Sequence, residues 1–144
     1  MLPTLFSYVV VHDAGSAPNP YWGVCTLVLC KPTIRRTARI GDWIVGTGSA
    51  QSEVDDIQGK VIYAMQVTDK VAMREYDAWV QEYRLQKVPD PRSHDPRHWV
   101  GDAIYDFSED PPKKRPGPHD ESNRATDLGG EFALLSEHFY YFGD

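Results

Sequence analysis

The residues able to do chemistry in this sequence form one cationic stretch and a scatter of acids and imidazoles. Lys31, Arg35, Arg36 and Arg39 place four positive charges within nine residues of an otherwise acidic chain. A lysine ammonium is a compact point charge, and an arginine can hold a phosphate through two parallel bonds. Thr47, Gly48 and Ser49 follow as a small, hydroxyl-bearing rim where glycine lets a ligand approach the backbone. Trp22 and Trp43 offer rings for a planar ligand, and Asn19 both donates and accepts, so it can read the edge of a base. Asn19, Trp22, Lys31, Arg35, Trp43, Thr47, Gly48 and Ser49 are therefore the candidate binding set. The expectation is that cations, rim and a tryptophan converge on one hollow of nucleobase size.

For acid–base work the candidates are His12 and Asp13, at the end of a strand, and Asp102, in a Gly-Asp turn. Asp42, His119, Asp120, Glu121 and His138 widen the choice, and His119-Asp120-Glu121 lies where a lid could close over a site. No phosphate-binding glycine loop, Gly-x-Ser-x-Gly or paired metal-ligand spacing is present. No metal and no cofactor is expected. His94, His98 and His119-Asp120 come nearest to a metal set, but on irregular segments. Each candidate also has an ordinary reading: Trp43 as core, single cations as solvated surface. The clustering of cations is what favours function.

The elements that must position these residues follow from pattern. A length of 144 residues suits one domain, 1–144. Apolar residues at 41% and charged residues at 25% suit a globular chain. No apolar run reaches membrane-span length, and the start lacks a basic leader region, so a cytoplasmic location and no membrane partner are expected. A net charge of −6 disfavours a broad duplex footprint but leaves room for one nucleotide or flipped base held by local cations. Oligomeric state is left open.

Strands are expected at 5–11, with a central, two-sided position, and at 23–30, 42–46 and 61–68. Cys25 and Cys30, an odd spacing apart on one strand, would point to opposite faces, which disfavours a disulfide and suits two small buried side chains. Residues 31–39 read as a basic loop and 50–58 as a surface loop. Met73, Tyr76, Trp79, Val80 and Tyr83 recur at helical steps, predicting an amphipathic helix over about 72–86 that ends before the prolines at 89 and 91. Residues 106–130 read as a long flexible loop or flap, and 132–136 and 139–142 as closing strands. The fold class expected is α+β, a small mixed β-barrel with one main helix and long loops.

Arg39-Ile-Gly-Asp-Trp-Ile-Val and the strand Gly59-Lys-Val-Ile-Tyr-Ala-Met-Gln-Val resemble the PUA-like superfamily, which includes ASCH, EVE and YTH domains. A narrower resemblance runs along nearly the whole chain. It is carried by Tyr8-Val-Val, Ala17-Pro-Asn-Pro, Trp22-Gly-Val-Cys-Thr-Leu, Cys30-Lys-Pro, Ile34-Arg, Gly41-Asp-Trp-Ile-Val-Gly-Thr-Gly-Ser, Val100-Gly-Asp-Ala-Ile-Tyr and Leu135-Ser-Glu-His-Phe-Tyr-Tyr-Phe-Gly. These segments resemble the nucleotide modification associated domain family, type 2. The resemblance implies a PUA-like barrel and a nucleic-acid-modification context rather than a particular reaction. The function expected first is binding of a modified base or nucleotide, with a nucleotide, modified base or short nucleic acid as partner. The alternatives are an enzyme acting on such a ligand by hydrolysis or group transfer, and a protein-interaction subunit.

Overall fold

A computed structural model describes residues 2–50 and 57–143. The first of its two main sheets holds β1 (Leu5–Val10), β3 (Trp43–Gly48), β4 (Val61–Gln66) and β9 (His138–Tyr141) in the order β1-β3-β4-β9. β1 runs parallel to β3, and the other pairs are antiparallel. The second sheet is antiparallel, with β8 (Phe132–Ser136) between β2 (Cys25–Leu27) and β5 (Asp69–Ala72). A short ribbon joins β6 (Tyr105–Asp106) to β7 (Lys113–Lys114). Helices α1 (Pro32–Thr37), α2 (Met73–Tyr83) and α3 (Arg124–Gly129) complete the mixed α+β architecture.

Two apolar clusters hold these elements together. Met73, Tyr76 and Val80 line one face of α2 at helical spacing and pack with Val24, Val28, Leu29 and Ile104. Leu27 and Leu134 of one sheet meet Ile44, Ile62, Tyr63 and Met65 of the other. Each fully buried aliphatic side chain of this kind contributes about 1.5–3 kcal/mol through removal from water.

Several expectations change. The described strands form open sheets, and no closed barrel is found; β1 and β9 are the outer strands of theirs. β1 is thus an edge strand, not a central one, and its Leu5 and Val9 are exposed, as is Val11 just beyond it. The basic stretch after Cys30 contains a helix rather than being all loop, because Pro32 is pre-set for a first helical turn. β5 was not anticipated, and α2 begins where it ends. Alternation is broken at one end of β4, where a register shift at Gly46/Thr47 leaves Val61 exposed and Ile62 buried. Within residues 106–130, read as a long flexible loop or flap, the chain forms β7 and α3. Part of the expected 50–58 loop, residues 51–56, lies outside the described residues.

Candidate functional site

Cys30 does not sit on a strand. β2 ends at Leu27, and the backbone then passes through the left-handed region at two successive non-glycine residues, Cys30 (φ 58°) and Lys31 (φ 42°). That conformation costs an L-residue about 1–2 kcal/mol each, and such strain persists only where the surroundings enforce it. Arg35 does the enforcing. Although it stands one turn into α1, its guanidinium is fully buried. Its Nε donates to the Cys30 carbonyl (2.6 Å), and Nη2 donates to the carbonyls of Asp127 (2.7 Å) and Thr126 (3.1 Å). Nη1 reaches the Phe132 carbonyl at 3.3 Å. A Cβ on Gly130 would lie 2.1 Å from Arg35 Cζ, so glycine is what lets the guanidinium pass beneath the chain. Burial lowers the Arg35 pKa to about 10, partly opposed by the charge of Asp127.

The clamp ties the Cys30 turn to α3, and α3 supplies Asp127. This fully buried carboxylate accepts from the Cys30 backbone N–H through Oδ1 (3.0 Å). Its Oδ2 accepts from His119 Nδ1 (2.7 Å) and from the Tyr105 hydroxyl (2.9 Å). The other ring nitrogen, His119 Nε2, faces Cys30 Sγ at 3.6 Å. The bond to Asp127, then that to Cys30, lifts the His119 pKa to about 10. Burial acts to raise the Asp127 pKa, but the bonds from His119, the Cys30 N–H and Tyr105 outweigh it and hold the carboxyl below its ordinary range. Lys31 Nζ stands 4.6 Å over the Tyr8 ring, and the Tyr8 hydroxyl pairs with that of Tyr63 at 2.7 Å. Cys30 is near enough to act electrostatically on the Tyr8 hydroxyl.

A thiol facing an imidazole, itself oriented by a carboxylate, is the arrangement of an activated nucleophile. Among the described residues, Cys30, His119 and Asp127 are also the one trio whose ligand atoms lie within 4.8 Å of one another, so they could hold a soft divalent metal. His94, His98 and His119-Asp120, which come nearest to a metal set in the sequence, do not assemble as one: His98 packs at 5.8 Å from the Trp22 ring instead.

The predicted site residues are dispersed. Lys31 follows Cys30 in the chain but turns its ammonium over the Tyr8 ring, and Arg35 reaches the Cys30 turn from beneath, as a clamp whose donors are spent on carbonyls rather than open to phosphate. Trp22 lies elsewhere, under Arg97 (4.8 Å) and beside His98. Trp43 stands edge-on to His138 at the start of β3, while Thr47 to Ser49 lie at its other end, about 13–20 Å away at strand rise. The glycines are filled by their own neighbours: a Cβ would meet the Tyr63 ring at 2.5 Å from Gly46 and the Ile57 carbonyl at 2.1 Å from Gly48. Thr47 Oγ1 reaches the Tyr8 carbonyl (3.5 Å), and Ser49 is buried. The single hollow is therefore not formed by this set.

Asn19 is fully buried, donating to the carbonyls of Gly15 and Val100 and accepting from Lys87 Nζ (2.6 Å), which leaves no edge for a base. Asp102 is fully buried and accepts from Thr26 (2.5 Å) and Tyr76 (2.6 Å); burial raises its pKa. His12 is exposed, and Asp13 accepts from the Tyr141 hydroxyl and the Gly15 N–H (3.2 Å). Sequence reasoning missed Cys30 and Asp127. Pro32 was the available signal, because a proline at the first helical position means the chain has left the strand before it.

The chain's class is a mixed α+β protein with a partly buried, carboxylate-oriented thiol–imidazole pair. It belongs to the nucleotide modification associated domain 2 family, whose model matches residues 2–144. No curated protein and no solved structure matches it. Among the described residues, no helix is long and apolar enough to cross a membrane.

Proposed function

We propose that this domain binds a nucleotide or modified base against the face formed by Lys31, Cys30 and His119, and acts on it chemically. The family gives the context of nucleotide modification. The observation that carries the reading is local: in a chain of net charge −6, the half-buried Cys30 thiol faces the His119 imidazole at 3.6 Å, and the next residue, Lys31, holds its ammonium over the Tyr8 ring. An ammonium on the residue next to a reactive thiol suits a ligand with a phosphate and an electrophilic base. The aromatic ring of Tyr8, already under the Lys31 ammonium, adds a face against which a base can lie. Recognition of a modified base thus becomes the first half of the activity.

The test is calorimetric titration of the protein with nucleoside monophosphates and with base-modified nucleosides. Binding is expected to weaken about tenfold in Lys31→Ala, the loss of one charge-assisted contact, and to weaken further with salt. A protein that takes up none of these ligands, or one whose binding ignores Lys31 but fails in Trp22→Ala, would overturn the choice of face.

A further inference from the structure

Resting on that reading of the face, we propose that Cys30 is a covalent nucleophile, with His119 as its proton partner and Asp127 as a positioning residue, acting at an amide-type carbon carried by the base or its modification. Three independent features point there. The nucleophile sits on a strained turn between a strand and a helix, with two left-handed non-glycine residues in succession, and such strain gathers at reactive positions. The pair is geometrically matched: Sγ to Nε2 at 3.6 Å and Nδ1 to Asp127 at 2.7 Å fix which ring nitrogen meets the thiol. And the carboxylate grips both halves, since Asp127 also binds the backbone N–H of Cys30, so nucleophile and imidazole move as one body. A merely structural imidazole–carboxylate pair would have no use for a half-exposed thiol at its open end.

The chemistry balances without any redox partner. His119 Nε2 takes the proton of the Cys30 thiol as the Sγ electron pair adds to the carbonyl carbon. The tetrahedral centre collapses, its carbon–nitrogen bond breaks, and the leaving nitrogen takes the proton from His119 Nε2, giving a thioester on Cys30 and a free amine. Water then attacks the thioester while His119 accepts its proton. The carbon–sulfur bond breaks, and the thiol is restored with release of the carboxylic acid. An acceptor amine in place of water makes the same sequence a group transfer.

The experiment uses p-nitrophenyl acetate as acyl donor and iodoacetamide as alkylating probe on the full chain. A burst of nitrophenolate is expected, with one acetyl group mapped by peptide mass spectrometry to Cys30 and absent in Cys30→Ser. Iodoacetamide is expected to label Cys30 at least about tenfold more slowly at pH 6 in His119→Gln than in the unaltered chain, because the thiol loses the imidazole that faces it at 3.6 Å. Asp127→Asn is expected to shift that pH profile while Asp127→Glu partly restores it, a response that loss of folding would not produce. An identical labelling profile in the unaltered chain and His119→Gln would overturn the proposal. So would stoichiometric zinc that blocks labelling until it is chelated. The two readings fail separately: an acetyl burst without nucleotide binding removes the ligand assignment and keeps the nucleophile, and nucleotide binding by an unreactive Cys30 does the reverse.

Discussion

Two polar clusters lie within a few residues of each other along the segment that includes β2, and they are built to opposite ends. Thr26 belongs to a network with Asn19, Lys87, Asp102 and Tyr76, of which every member is essentially sealed from solvent. Lys87 Nζ spends three donors there, on the Asn19 carbonyl (3.2 Å), Asn19 Oδ1 (2.6 Å) and Thr26 Oγ1 (3.0 Å). Asp102 accepts from Thr26 and Tyr76. Four residues on, Cys30 belongs to a cluster that is closed behind, by Asp127, Tyr105 and Arg35, and open in front, where thiol and imidazole are only partly buried. The first cluster has satisfied its valences and fixes the fold. The second holds a strained backbone and a loosely met sulfur, which is how a protein keeps a group available. Burial of charge alone does not mark a site; an unfinished contact does.

The largest test of this contrast is to open the sealed network. Asp102→Ala leaves the Lys87 ammonium buried without the negative charge that most favours it, which costs about 3–5 kcal/mol when one member of a buried charge pair is removed. Urea unfolding followed by fluorescence measures it, and a loss below about 1 kcal/mol would show that the network is not structural. The same substitution should leave the labelling rate of Cys30 in the folded protein unchanged. If reactivity falls with it, the two clusters are one machine.

Gly130→Ala probes the back wall of the open cluster. The added Cβ would fall 2.1 Å from Arg35 Cζ, so the guanidinium must withdraw and abandon carbonyls of both Cys30 and Asp127. The loss expected is about 2 kcal/mol, from buried acceptors left unpaired. Unlike Asp102→Ala, this change should also disturb Cys30 labelling, because the strained turn loses its restraint.

Much of the sheet was legible, and the site was not. The periodic segments announced themselves: 132–136 is a strand as expected, and α2 runs over Met73–Tyr83 within the range its aromatic stripe predicts. Alternation in Tyr63, Met65 and Val67 marked the buried face of β4 and its continuation. What failed was long-range closure. Nothing in the local pattern says whether β1 meets a further strand, so an apolar edge reads like a central strand. The site failed for the same reason, more severely: Cys30 meets His119 across 89 residues and Asp127 across 97. Arg35 reads as a surface cation because helical periodicity alone does not reveal four carbonyls waiting beneath it. His119 was visible as an acid–base candidate, but without its partners it had no role.

Acidity and alkalinity should affect the open cluster from both sides. His119 binds its proton more tightly in the folded chain, with a pKa of about 10 against an ordinary 6.5, so its stabilising contribution is complete below about 6.5 and fades as pH rises toward 10. Asp127 behaves oppositely: its pKa lies below the ordinary 3.8, so its contribution holds above that value and is lost as pH falls through the folded one. The two describe one pair, and His119 is partly exposed, so the alkaline loss is on the order of 1 kcal/mol after discounting for solvent screening. Thermal unfolding from pH 6 to pH 10 measures it. His119→Gln should flatten that arm, and an unchanged arm in the variant would assign it to other groups.

The smallest expected effect divides the clusters most sharply. Cys30→Gly removes the side chain from a residue at φ 58°, where an L-residue pays about 1–2 kcal/mol and glycine pays almost nothing. Against this, glycine loses about 0.5–1 kcal/mol more conformational freedom on folding. The half-buried thiol contributes little packing that would be missed. The balance predicts a variant about 0.5 kcal/mol more stable than the unaltered chain and inert to p-nitrophenyl acetate. Glycine at this turn would then be the better choice for folding alone, and the cysteine would be there for its sulfur. A less stable Cys30→Gly would mean that the thiol packs as structure, and the open cluster would join the sealed one.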